Sequence, residues 1–136
     1  MKKPALMSAL PVMAWAAALA LSRPADAEQC VSGLHALSAW TAAISGNANQ
    51  WPDSARKMGF RVDHTPENGS VIVYPPTYGR GINATFGHVA FIVDSRPARP
   101  GVITIMDSNG ICKGNRRQCD VRRPDWKRVW VIHPKK

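Results

Sequence analysis

Gly87-His88-Val89-Ala90-Phe91-Ile92-Val93-Asp94 is the stretch on which the fold turns. From His88 to Asp94 it is a short apolar run of β-branched and aromatic residues, opened by a glycine and closed by an acid. Such a run reads as a buried strand. Two similar runs lie on either side: Ser70 to Tyr74 (SVIVY), after the turn Pro66-Glu67-Asn68-Gly69, and Val102 to Asp107 (VITIMD), after the turn Arg96 to Gly101. Arg128 to Ile132 (RVWVI) predicts a last strand before Pro134. The segment Pro75 to Gly87 is a glycine-bearing loop leading directly to His88, where the wall of an active site is expected.

Upstream the chemistry is helical. Leu34, Leu37, Trp40 or Thr41, and Ile44 recur at helical spacing among alanines, predicting a helix over Glu28 to about Ser45 that Gly46-Asn47-Ala48-Asn49 stops. A second short helix is expected from Pro52 to Met58, with proline at its start and Gly59 at its end. Helix first and antiparallel strands after is an α+β order.

The chain has 136 residues, 45% hydrophobic and 20% charged, which suits one globular domain and excludes a disordered tail. Its first residues read as an export signal: basic Met1-Lys2-Lys3, the apolar run Ala5 to Leu21, then Ala25-Asp26-Ala27 with small residues where a signal peptidase cuts. The expected organisation is therefore a signal peptide over 1–27 and a single domain over 28–136, exported to a bacterial periplasm or beyond. The alternative, an uncleaved anchor, is disfavoured by Pro11 and by a run at the lower edge of bilayer-spanning length.

An exported chain with three cysteines invites pairing. Cys112 and Cys119 lie in one polar, basic loop and are most simply a local disulfide, worth roughly 2–3 kcal/mol by loop entropy. A zinc site built from them and His133 lacks a fourth ligand at a recognisable spacing, so no metal is expected. That leaves Cys30 over. At the start of a helix, the exposed N–H groups and the positive end of the dipole favour thiolate over thiol, which makes Cys30 a candidate nucleophile.

A nucleophilic cysteine needs a base and a group to orient it. Among the four histidines, His35 shares the cysteine's helix on another face, and His64 and His133 read as solvated or structural. His88 opens a strand at the edge of the core, where its ring would be held rigidly. Asp107 ends the third strand and Asn109 follows two residues later, so either could accept the imidazole's second N–H.

These residues carry a family resemblance. Gln29-Cys30 at a helix head, Gly46-Asn47-Ala48-Asn49-Gln50-Trp51 after it, and Thr65-Pro66-x-x-Gly69 before a strand resemble the CHAP domain, the cysteine, histidine-dependent amidohydrolases/peptidases. So do Gly87-His88-Val89-Ala90 opening the next strand and Ile103 to Asn109 ending a third, so the likeness runs from Gln29 to Asn109 in order. The resemblance implies a papain-like fold, with the cysteine helix packed on an antiparallel sheet. It implies hydrolysis of amide bonds in the peptide part of peptidoglycan, by an endopeptidase or an N-acetylmuramoyl-L-alanine amidase, without a cofactor. By position Cys30 is the nucleophile, His88 the base and Asp107 the orienting acid, where many relatives have glutamate, with Asn109 a further polar position. The oxyanion hole would use the Cys30 N–H, assisted by Gln29. Trp51 would line the cleft or cover the core. The Cys112–Cys119 loop has no counterpart in the matched pattern.

The net charge is +9, and Lys113 to Arg128 holds seven basic residues against Asp120 and Asp125. This segment suggests either a patch for anionic wall polymers or a solvated surface. Nucleic acid as the main partner is disfavoured, since no recognised binding fold accompanies the charge. Trp126 and Trp130 read as packed rather than sugar-stacking. A monomer is expected. The rival function is a catalytically inert, basic wall-binding module on the same fold.

Overall fold

A computed structural model describes residues 26–79 and 81–136, with side-chain surroundings from Cys30 onward. The expected signal segment 1–27 lies almost wholly outside the described residues. Helix α1 spans Asp26–Leu37, helix α2 Trp51–Lys57, and six strands follow: β1 Arg61–Asp63, β2 Val71–Tyr74, β3 His88–Asp94, β4 Val102–Asp107, β5 Arg117–Arg122 and β6 Trp130–His133. The strands form one antiparallel sheet in the order β1-β6-β2-β3-β4-β5. This is the expected α+β architecture, with the cysteine helix lying on an antiparallel sheet.

Alternation of side chains across the central strands builds two cores. Val71 and Val73 of β2 and Val89 of β3 face α1 and pack with Cys30, Val31, Leu34 and Trp51. Ile72, Tyr74, Ala90 and Ile92 face the other way and pack with Ile103, Ile105 and Ile82 of the 75–87 loop. Burial on both faces explains why SVIVY and VITIMD read as continuous apolar runs rather than alternating ones.

Helix α1 ends eight residues before the expected boundary. Thr41 Oγ1 lies 2.9 Å from the carbonyls of both Leu34 and Ser38, so a side chain takes up the helix's last acceptors. A single 3-10 turn, Thr41–Ala43, replaces the remaining α-helix. Trp40 is thereby turned onto Phe60 and Phe91. Alanine propensity is a weak prior, and this tertiary packing overrides it.

His133 is structural, as the sequence suggested. Its ring is buried, and its two nitrogens meet Asp63 Oδ1 at 2.7 Å and Glu67 Oε1 at 2.6 Å. That clamp joins β1, the turn before β2 and the end of β6. His64 stacks on Trp130, and Arg56 covers the same indole, so Trp130 is packed rather than presented.

Candidate active site

Strand pairing alone brings the catalytic candidates to one end of the sheet. β3 begins where antiparallel β4 ends, so His88 and Asp107 meet across that ladder. His88 Nε2–H donates to Asp107 Oδ2 at 2.7 Å, and both side chains are buried. Aspartate, one methylene shorter than glutamate, therefore reaches the ring. The other ring nitrogen, Nδ1, is left to Cys30 of α1, whose side chain is hydrogen-bonded to His88. Cys30 forms no disulfide and is fully buried in the helix-side core.

Burial disfavours the imidazolium form of His88. Hydrogen bonds to Asp107 and Cys30, together with their charges, outweigh that penalty and push His88 from 6.5 up to about 9. The imidazole is thus held protonated near neutral pH between two groups that carry or accept negative charge. The pair is poised for proton exchange with the thiol in a water-poor setting.

Three backbone features hold the histidine where it stands. Gly87 has φ +77°, and a Cβ there would come within 2.5 Å of the Tyr74 carbonyl, so only glycine turns the chain into β3 at this point. The turn before it is fixed by Asn83, whose Oδ1 accepts the N–H groups of Thr85 and Phe86 and whose carbonyl accepts that of Gly87. Asn49 of the Gly46–Trp51 motif donates its N–H to Phe86 O at 2.8 Å. The motif after the first helix therefore supports the loop that delivers His88.

Trp51 is wholly buried, stacked on His35 with its indole N–H donating to Gly46 O. It sits in the helix-side core with Cys30 and Leu34. Asn109 adopts φ +49° just past β4, with its N–H donating to Gly114 O. The Gln29 side chain lies outside the described residues. Cys30 is the fifth residue of α1 as described, deeper in the helix than the first turn expected.

The Cys112–Cys119 disulfide is present, with Cα atoms 5.5 Å apart. Its loop had no counterpart in the matched pattern, and the structure places it against Asp107 and His88. Ile111 N–H donates to Asp107 Oδ2 at 2.9 Å and Cys112 N–H to Asp107 Oδ1 at 3.2 Å. Gly110 packs so closely on the His88 ring that a Cβ there would overlap ring atoms. No signal in the sequence marked these contacts, because backbone N–H groups have no side-chain signature. Replacing Gly110 with alanine is expected to displace the imidazole and lower any activity that uses His88 at least about tenfold, since small misplacements of catalytic groups cost that much. Steady-state kinetics on the folded variant measures it.

Beside this centre a half-open depression of about 320 Å³ is walled by Tyr74, Tyr78, Ile82, Ile111, Val121 and Arg122. Tyr74 links it to the site, its ring 6.4 Å from that of His88.

The comparisons with known proteins agree with this geometry. The model of the CHAP domain family matches residues 22–109, which include Cys30, His88, Asp107 and Asn109 and stop before the disulfide loop. An 81-residue stretch is 28% identical to a protein of Streptococcus mutans serotype c named "Putative hydrolase", covering 60% of this chain and 34% of that one. The crystal structure of an N-acetylmuramoyl-L-alanine amidase from Staphylococcus aureus matches with a TM-score of 0.52 at 25% identity, covering 66% of this chain and 24% of the amidase chain. The chain thus spans about a third of the streptococcal relative's length and about a quarter of the amidase's.

Proposed function

The chain belongs to the CHAP domain family, and from that premise we propose that it is an exported peptidoglycan hydrolase. It cleaves an amide bond in the peptide part of the wall, as an endopeptidase or an amidase at the sugar–peptide junction. The observation that carries this reading is the single buried imidazole bonded to both Asp107 and Cys30. A histidine so placed is a base for a thiol nucleophile rather than a surface residue.

In the proposed reaction Cys30 attacks the amide carbonyl as a thiolate and His88 holds the proton. The tetrahedral intermediate collapses as His88 protonates the leaving amine, and a thioester remains on Cys30. Water then attacks the thioester with His88 as base, releasing the acid and restoring the thiol. Asp107 keeps the imidazole oriented and stabilises its cation. The oxyanion falls to the Cys30 N–H with Gln29 assisting. Removal of residues 1–27 would make Cys30 the third residue of the mature chain. Its N–H would then lack a carbonyl four residues earlier in the helix and could turn to the oxyanion.

Export is supported by the disulfide, which suits an oxidising compartment. The basic residues Lys113, Arg116 and Arg117 ride on the loop and strand beside Asp107, the latter opposite it in the β4–β5 ladder. They suit an anionic wall polymer as the context of the substrate.

The test treats the exported protein with iodoacetamide near neutral pH. Release of new amines from purified peptidoglycan is followed alongside labelling of Cys30. Loss of activity in proportion to one label on Cys30 is expected. Protein that binds the wall yet releases no amine before labelling would be the inert module instead.

A further inference from the structure

The contacts of the Asp107 carboxylate point beyond the three-residue site. Asp107 is fully buried, and besides the His88 ring it accepts the N–H groups of Ile111 and Cys112, one on each oxygen. These two donors hold the carboxylate in the orientation that the imidazole needs. They sit on a loop with little intrinsic reason to keep its shape. Asn109, Lys113 and Arg116 all have left-handed φ, near 50°, and Gly114 has φ +130°. Non-glycine residues avoid that region unless their surroundings impose it.

Two kinds of restraint impose it here. One is a set of hydrogen bonds: Asn109 N–H to Gly114 O, Lys113 N–H to Gly110 O, and Arg116 N–H to Ser108 Oγ. The other is the disulfide. Cys119 is fixed in β5 opposite Ile105, two residues before Asp107 on β4. The bond from Cys119 therefore ties Cys112, whose N–H reaches Asp107, to the strand next to the one that carries Asp107. The same loop lays Gly110 on the His88 ring.

We propose that Cys112, through its disulfide with Cys119, is a positioning residue for the His88–Asp107 pair rather than a staple of the fold alone. This rests on the reading of His88 as the catalytic base. The loop lies beyond the stretch that the family model matches. The titratable groups facing His88 are Cys30 from α1, Tyr74 from β2 and Asp107 from β4. Loosening the loop acts on the last of these.

The test compares the exported protein with its Cys112→Ala/Cys119→Ala double variant, first confirming secondary structure by circular dichroism. On peptidoglycan fragments kcat is expected to fall about tenfold or more with KM within about twofold, the pattern of a misaligned base. The alkaline limb of activity, set by loss of the His88 proton near 9, is expected to move down. Alkylation of Cys30 across pH gives a readout that needs no substrate, so failure of the peptidoglycan reading would not hide the result. There the expectation is a changed pH profile in the double variant. Should the double variant not fold, the folded wild type is reduced with a phosphine, and activity is followed against the appearance of thiols at Cys112 and Cys119. Activity falling in step with those thiols supports the proposal. Unchanged kcat and pH limb with both thiols open, or a change in KM alone, overturns it.

Discussion

Replacing Cys30 with alanine is expected to abolish amide hydrolysis while leaving the fold in place. In the proposed reaction the thiol forms the acyl intermediate, and removing a nucleophile of this kind costs on the order of 10⁴–10⁶ in kcat. The structural cost is small by comparison. Cys30 is fully buried against Val31 and Leu34, so the variant loses one sulfur from a packed core and leaves a small cavity, at about 1 kcal/mol. The two effects separate cleanly in measurement. Amine release from peptidoglycan should fall to background, and the thermal unfolding midpoint should move by only a few degrees. Loss of activity together with unfolding would say instead that Cys30 serves the core.

The second large effect is expected at Asp107. Asp107→Asn keeps the shape and removes the charge, and its amide can no longer stabilise a protonated His88. Burial, which favours the neutral ring, is then opposed by the Cys30 hydrogen bond and charge alone. The alkaline limb of activity should move down from about 9 toward the ordinary range for histidine. At neutral pH kcat should fall about 10²–10⁴-fold. Stability changes with the same sign. A group whose folded-state value, about 9, exceeds its unfolded value, 6.5, adds stability fully present below 6.5 and lost as pH rises through 9. In Asp107→Asn that contribution should shrink, flattening the unfolding midpoint between those two pH values. Asn109→Ala is the control. Equal losses in both variants would remove Asp107 from its assigned role.

Strands β3 and β4 were legible residue for residue, because His88 to Asp94 and Val102 to Asp107 are apolar runs punctuated by glycine, proline and acid. Their antiparallel pairing then carries His88 to Asp107 without further information. β5 was not legible. Its sequence, RQCDVR, is polar at four of six positions because it is the sheet's exposed edge, and an edge strand needs no apolar run. β1 is too short to show a period. Helix α1 read too long because nothing in the alanine-rich stretch announces that Thr41 will fold back to cap it. The deepest omission was the loop after Asp107. Cys112 looked like a staple and Asp107 like a catalytic acid, and the bond that unites them runs through a backbone N–H. Charge patterning gave no position for the basic segment, which the β4–β5 ladder brings beside the motifs by setting Arg117 opposite Asp107.

The central claim is that Cys30, His88 and Asp107 hydrolyse an amide in peptidoglycan. The most direct measurement digests purified peptidoglycan in water enriched in oxygen-18 and identifies the fragments by mass spectrometry, with Cys30→Ala as control. Fragments with intact sugar linkages, in which each bond cut leaves a new amine on one product and a labelled carboxylate on the other, and which are absent from the control, are the predicted result. Cleavage between sugars, or the same fragments from the Cys30→Ala protein, would contradict it.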